Sequence, residues 1–230
     1  MISHSYSGFY IAFEGGEGGG KSTQIERLRD YLVRNFPERE VIVSREPGGP
    51  KVSEAVRQIL LHTDLEAGEM HPRTEALLYA AARSQFLEEI ARSALERGAF
   101  FLADRCSVSS DVYQGKVRGL GQAYIRKINE DLIAGLSPDL IFFFDLDPEI
   151  GLVRREASGK SDRLDKEGIE FHRRVREGYL EIVRDDPDRF VVIEATLSRE
   201  EQAEIISGKI SRLILDKETE REVAIRRERE

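Results

Sequence analysis

The run Gly15-Gly16-Glu17-Gly18-Gly19-Gly20-Lys21-Ser22, continued by Thr23, is the part of the chain best equipped for chemistry. Gly15, Gly20, Lys21 and Ser22 satisfy the spacing G-x-x-x-x-G-K-[ST] in full. Glycines at this spacing let backbone N–H groups converge on phosphate oxygens, and the helix that follows turns its positive end toward them. Lys21 then reaches the β- and γ-phosphates, and the Ser22 hydroxyl is placed to ligate Mg²⁺. The motif predicts a bound nucleoside triphosphate, ATP, held by residues 15–23. It is no dinucleotide fingerprint, because Lys21 stands where a third glycine would be needed. A chain of this length meets the pattern by accident on the order of once in a hundred, but a chance glycine-rich turn would lack the flanking strand and helix. No Asn-Lys-x-Asp segment for reading guanine occurs. Asp104 follows an apolar run, where such enzymes place a carboxylate near the metal; alone it would serve equally as a turn or helix cap.

These residues need a frame that presents loops at one edge. Five short apolar runs read as strands: Phe9–Phe13, Val41–Ser44, Phe100–Ala103, Leu140–Phe144 and Phe190–Ile193. Helices are expected between them over Ser22–Asn35, Val52–Leu61, Pro72–Arg97, Tyr124–Ala134 and Gly168–Arg184. In the first, Ile25, Leu28, Leu32 and Phe36 recur at helical spacing. Another helix starts at Asp147-Pro148, with the aspartate as cap and the proline in the first position. Ser198-Arg199-Glu200-Glu201 has capping-box spacing before a last helix to about Leu213. Residues 104–121 read as a polar loop. Alternation of this kind predicts an α/β fold of three layers, a five-stranded parallel sheet with helices on both faces.

The 230 residues fit one domain, residues 1–215, and the charge-rich stretch 216–230 reads as a tail of frayed helix or disorder. A net charge of −8 argues against nucleic acid as a partner. No apolar run is long enough to span a bilayer, and Met1–Ser7 has no secretory core. A single cysteine, Cys106, agrees with a reducing cytoplasm and reads as packing. The four histidines show no metal-ligand spacing.

Several segments together resemble the thymidylate kinase family: Glu14 to Thr23, Ser44-Arg45-Glu46-Pro47-Gly48-Gly49, Leu78-Tyr79-Ala80-Ala81-Ala82-Arg83, Asp104-Arg105 and Tyr113-Gln114-Gly115. Arg118-Gly119-Leu120, Ser137-Pro138-Asp139-Leu140, Asp147 to Leu152, Asp162-Arg163 and Tyr179-Leu180 continue the likeness over roughly residues 9–213. The resemblance implies transfer of the γ-phosphoryl group of ATP to dTMP, and a homodimer. Tyr79 and Arg83 lie four apart on one helix face, a pairing that serves core packing as readily as a base. The resemblance implies that Tyr79 stacks on thymine and Arg83 bonds its carbonyl edge; the family usually has phenylalanine at position 79. It further implies Arg45 near the acceptor phosphate, Pro47 against the base, and Arg105 drawing the two phosphates together. Ser110 and Gln114 would neighbour the base and sugar, Tyr113 would crowd the sugar C2′, and Glu17 would reach the 3′-OH.

Phosphoryl transfer needs cation density around the moving group. The phosphate loop has Gly18 and no arginine, which is similar to the lid-dependent members of the resembled family; the resemblance implies a lid over Arg154–Arg163, which holds Arg154, Arg155, Lys160 and Arg163. Arg155 is expected to reach the γ-phosphate in preference to Arg154, and Arg163 is counted with Lys21 and Arg105 as catalytic. The same arginines would also suit a solvated helix end. Two other readings share the motif: another nucleotide or deoxynucleoside kinase, and a nucleotide-binding switch without turnover.

Overall fold

The structure, a computed structural model, describes residues 4, 6–61, 70–133, 135–159 and 162–228. Five strands, β1 (Phe9–Gly15), β2 (Val41–Arg45), β3 (Phe100–Asp104), β4 (Leu140–Asp145) and β5 (Phe190–Glu194), form one parallel sheet in the order β2-β3-β1-β4-β5. The three inner strands are almost wholly buried, as their unbroken apolar runs require. Alternate side chains feed two cores. Phe9, Ile11, Phe13, Phe100, Leu102, Phe142 and Phe144 meet helices α1 (Lys21–Asn35) and α9 (Arg199–Glu228). Tyr10, Ala12, Phe101, Ala103, Ile141 and Phe143 meet the other helical layer, which includes α3 (Pro72–Phe86), α4 (Arg92–Glu96) and α8 (Ile169–Asp185).

All five expected strands are present within two residues of the sequence reading. Helices α2 (Lys51–Leu61), α6 (Gln122–Ile133) and α7 (Pro148–Ala157) also stand where patterning put them. Asp147 caps α7 through Glu149 N–H at 2.9 Å. Ser198 and Glu201 form the reciprocal capping box of α9.

Three expectations change. The long helix from Pro72 is interrupted by a π-helical turn, Leu87–Ala91, that keeps Leu87 and Ala91 in the core. The stretch read as a polar loop coils into α5 (Ser107–Ser110) and a π-helical segment, Asp111–Val117. Val112, Tyr113 and Val117 are buried there, so polar composition hid a helix with one apolar face. Finally, α9 runs on to Glu228 instead of stopping near Leu213. Lys217 holds it down, donating to Asp139 Oδ1 at 2.7 Å and to the Gly8 carbonyl at 3.2 Å, and Arg221 donates to the Tyr6 carbonyl.

Candidate active site

Strands β1, β3 and β4 end side by side, so the loops that follow them share one rim. Above it lies a cleft of about 1310 Å³. Residues 17–23 line one side, Arg45, Pro47, Tyr79, Arg83, Arg105, Tyr113 and Gln114 the other, and Arg154, Arg155 and Ser158 the roof.

The phosphate-loop side is made of backbone. Gly20 caps α1 at φ 91°, and Lys21 folds back to donate to the Gly15 and Gly16 carbonyls at 3.1 and 2.7 Å. Gly18 has a physical reason to lack a side chain. At φ +68° its Cβ would lie 2.2 Å from the Gly151 carbonyl oxygen, and a Cβ on Gly151 would lie 2.4 Å from that of Glu17. The loop and the first turns of α7 therefore touch backbone to backbone, leaving no path for an arginine at position 18.

Ser22 and Asp104 both line the cleft. The Asp104 carboxylate makes no hydrogen bond or ion pair among the described residues. A hydroxyl and an uncommitted carboxylate beside a phosphate loop are oxygen donors of the kind Mg²⁺ takes.

Arg105 stands between the phosphate loop and the Tyr113 wall of the cleft. It is the one non-glycine among the described residues with positive φ, 76°, a conformation held by its surroundings. Its guanidinium donates to Glu17 Oε1 at 2.6 Å and to the Gly15 carbonyl at 3.0 Å, and it lies 5.5 Å from the centre of the Tyr113 ring. Burial raises the Glu17 pKa, but Arg105, Lys21 and Arg155 outweigh it and pull the carboxyl down to about 2. Beneath this pair Glu14, fully buried, accepts from Cys106 N, Ser109 N, Ser109 Oγ and the Tyr179 hydroxyl at 2.7–3.2 Å. It fastens the loop after β3 to the end of β1.

On the opposite wall Arg83 is 2% exposed and rigidly held: Nε to Glu46 at 2.6 Å, Nη1 to Asn129 at 2.6 Å, Nη2 to Ser110 at 2.8 Å. Ser110 thus acts on Arg83. Tyr79 is half-buried on the same helix face. Arg45 is exposed and donates to Glu54. Arg57, not foreseen from sequence, also lines this side and donates to the Pro47 carbonyl at 2.8 Å. Burial, and then the charge of Arg45, lower its pKa, the mark of a cation pair lacking a full set of anions.

The lid segment divides. Arg155 donates to Asp165 and Asp162 at 3.0 and 3.1 Å and comes within 3.9 Å of Glu17, facing the loop. Arg154 instead donates to the Ala195 and Gly18 carbonyls. Arg163, expected in the lid, does not line the cleft in this structure and donates to the Leu60 carbonyl at 2.8 Å and to Glu75 at 2.5 Å. A buried carboxylate drew it away, a pairing between residues 88 apart that spacing cannot reveal. Lys160 lies outside the described residues.

Sequence reasoning gave no role to Glu46, Arg57 and Ser109, which line the cleft, or to Glu14, Glu75 and Asn129, which brace its residues from behind. The two glutamates beside recognised motifs carried a signal, since a charged residue next to an apolar strand end or a turn glycine must find a buried partner.

A parallel sheet with a phosphate loop after its central strand, facing a wall of the same cleft that carries several arginines, defines the class of P-loop phosphotransferases. The family model described as thymidylate kinase matches residues 13–206. Thymidylate kinase of Trichodesmium erythraeum is 41% identical over 220 residues, covering 91% of this chain and 97% of that protein. Its counterpart in Lactobacillus acidophilus is 46% identical over 193 residues, covering 82% and 87%. The crystal structure of thymidylate kinase from Ehrlichia chaffeensis superposes with a TM-score of 0.70 at 27% identity, over 89% of this chain and 98% of that one. The chain belongs to the thymidylate kinase family.

Proposed function

We propose the following division of labour for this site in the reaction of its family. The chain is a kinase that phosphorylates dTMP to dTDP with ATP, a step in dTTP synthesis. Residues 15–23 bind ATP through backbone N–H groups, with Lys21 on the β- and γ-phosphates. Ser22 and Asp104 hold Mg²⁺, which neutralises phosphate charge when bound. The dTMP base lies against Tyr79, Pro47, Arg83 and Gln114, its sugar against Tyr113 and Glu17, and its phosphate toward Arg45, Arg57 and Arg105.

The acceptor oxygen is already ionised near neutral pH, so no strong base is needed. The bond from the γ-phosphorus to the β,γ-bridging oxygen breaks as the bond to the dTMP phosphate oxygen forms. Arg105 and Arg155 supply the cation density that draws the two phosphates together. Glu17, ionised and acceptor-only, takes the sugar hydroxyl proton as a hydrogen bond without removing it.

The observation that carries this reading is Arg105, locked at positive φ between the donor loop and the Tyr113 pocket. A homodimer is part of the proposal, supported by Val52, Ile59 and Leu77, 56%, 44% and 54% exposed on α2 and α3. So is a cytoplasmic location; among the described residues no helix is long and apolar enough to cross a membrane. A coupled assay with ATP across dTMP, dUMP, dCMP, dGMP and thymidine tests the substrate. The reading expects dTMP to give the highest kcat/KM; turnover of thymidine without dTMP would overturn it.

A further inference from the structure

Glu75, in the first turn of α3, lies behind the acceptor pocket and is absent from its lining. Its carboxylate is 2% exposed. Oε1 accepts from Gln114 Nε2 at 2.8 Å and from Arg118 Nε at 3.4 Å; Oε2 accepts from Arg163 at 2.5 Å. Burial alone would raise its pKa, but the bonds from Gln114 and Arg163 and the charge of Arg118 hold it below the usual carboxylate range. Glu75 is therefore ionised at neutral pH and can only accept.

That has a consequence for Gln114, which is 1% exposed and lines the cleft next to Tyr113. Its amide could present either end to the pocket. With an acceptor-only partner behind it, the NH₂ group is committed to Glu75, and the carbonyl Oε1 is the end left to face a ligand. Arg83, across the same pocket, offers only donors. A donor beside an acceptor matches a pyrimidine with a carbonyl at C4 and a proton on N3. Cytosine inverts both, with an amino group at C4 and a lone pair at N3.

We infer that Glu75 is a positioning residue that sets the base preference of the acceptor site, by fixing the Gln114 amide with its oxygen toward the base. Arg118 and Arg163 keep that carboxylate in place, Arg118 in turn being held by Glu167 at 2.6 Å and Arg163 by the Leu60 carbonyl. The inference rests on the dTMP reading above.

The test compares kcat/KM for dUMP and dCMP, which differ only at this edge, with dTMP as reference. In Glu75→Gln the partner can donate as well as accept, the Gln114 amide loses its fixed sense, and the dUMP/dCMP ratio falls about ten-fold or more. In Glu75→Asp, still acceptor-only, the ratio stays within about three-fold of the parent even where kcat drops. A purely structural role would lower both substrates together and leave both ratios alone; that result overturns the inference. If Glu75→Gln does not fold by circular dichroism, 3-deaza-dTMP on the unaltered enzyme decides, because a C–H replaces the N3–H donor there without added bulk. A loss of about a hundred-fold against dTMP supports the acceptor oxygen, and turnover within about three-fold of dTMP overturns it. Failure of the unaltered enzyme to phosphorylate dTMP would instead contradict the proposed function itself.

Discussion

The two ends of the central sheet both bury charge, and they use it differently. At the cleft end Arg83, Arg105 and Glu17 spend part of their hydrogen-bonding capacity on the protein and turn the rest toward the cleft. At the opposite end His4, Asp139 and Lys217 close on one another: Asp139 accepts from Lys217, from the Tyr10 N–H at 2.8 Å, and shares a 3.1 Å contact with His4. Burial raises the Asp139 pKa, but the His4 contact and the Lys217 charge outweigh it and bring it to about 2. Buried charge of the first kind keeps hydrogen-bonding capacity facing the cleft, where the proposed function puts the substrates, while the second kind fastens a long helix to the first strand. The comparison predicts that damage to one end is read in turnover and damage to the other in stability.

Arg105→Ala gives the largest effect. By the proposed function it removes the cation between the two phosphates, and turnover should fall about 10³-fold or more with binding of an ATP analogue largely kept. Steady-state kinetics beside a nucleotide titration checks it; unchanged turnover would take Arg105 out of the site. Gly151→Ala comes next, since the new Cβ would lie 2.4 Å from the Glu17 carbonyl oxygen and must push the loop or α7 aside. We expect kcat/KM for ATP to fall about ten- to a hundred-fold, with a loss of about 1–3 kcal/mol measured by denaturant unfolding.

Lys217→Met breaks the opposite end. Removing one partner of a buried pair costs about 3 kcal/mol, a drop in Tm of roughly 6–12 °C, while kcat at 25 °C stays within two-fold of the parent by this account. A large loss of turnover without a loss of stability would erase the distinction between the ends.

Asp111 gives the smallest effect. Burial raises its pKa to about 6, only partly offset by Arg126, Arg83 and Arg189. An acid with a raised folded pKa binds its proton more tightly when folded, so its contribution weakens the protein as pH rises from about 4 to about 6. Asp111→Asn should remove that slope and raise Tm modestly at pH 7, measured by thermal melts from pH 4 to 7. A steeper slope in the variant would reverse the assignment.

How much of this was legible in the sequence follows from how local each cause is. The phosphate loop is contiguous and its glycines are dictated by backbone contacts, so the motif was legible in one stretch of chain. The strands were legible because burial on both faces leaves no room for polar residues. The extension of α9 was not, since Lys217 and Arg221 look like solvated charge until Asp139 and the Tyr6 carbonyl are brought to them by the fold. The bond between Arg163 and Glu75, 88 positions apart, was out of reach for the same reason. An arginine near a glycine-rich turn looks like a lid residue, and only the tertiary structure shows a carboxylate waiting behind it. Arg57 was missed because an arginine on an amphipathic helix carries no mark of the cleft it faces.

The most direct test of the account is a crystal structure with dTMP and a non-hydrolysable ATP analogue. It should show the triphosphate on residues 15–23, the dTMP phosphate between Arg45, Arg57 and Arg105, and thymine bonded to Arg83 and Gln114 Oε1. A dTMP molecule bound elsewhere, or one whose phosphate leaves Arg105 paired only with Glu17, would contradict it.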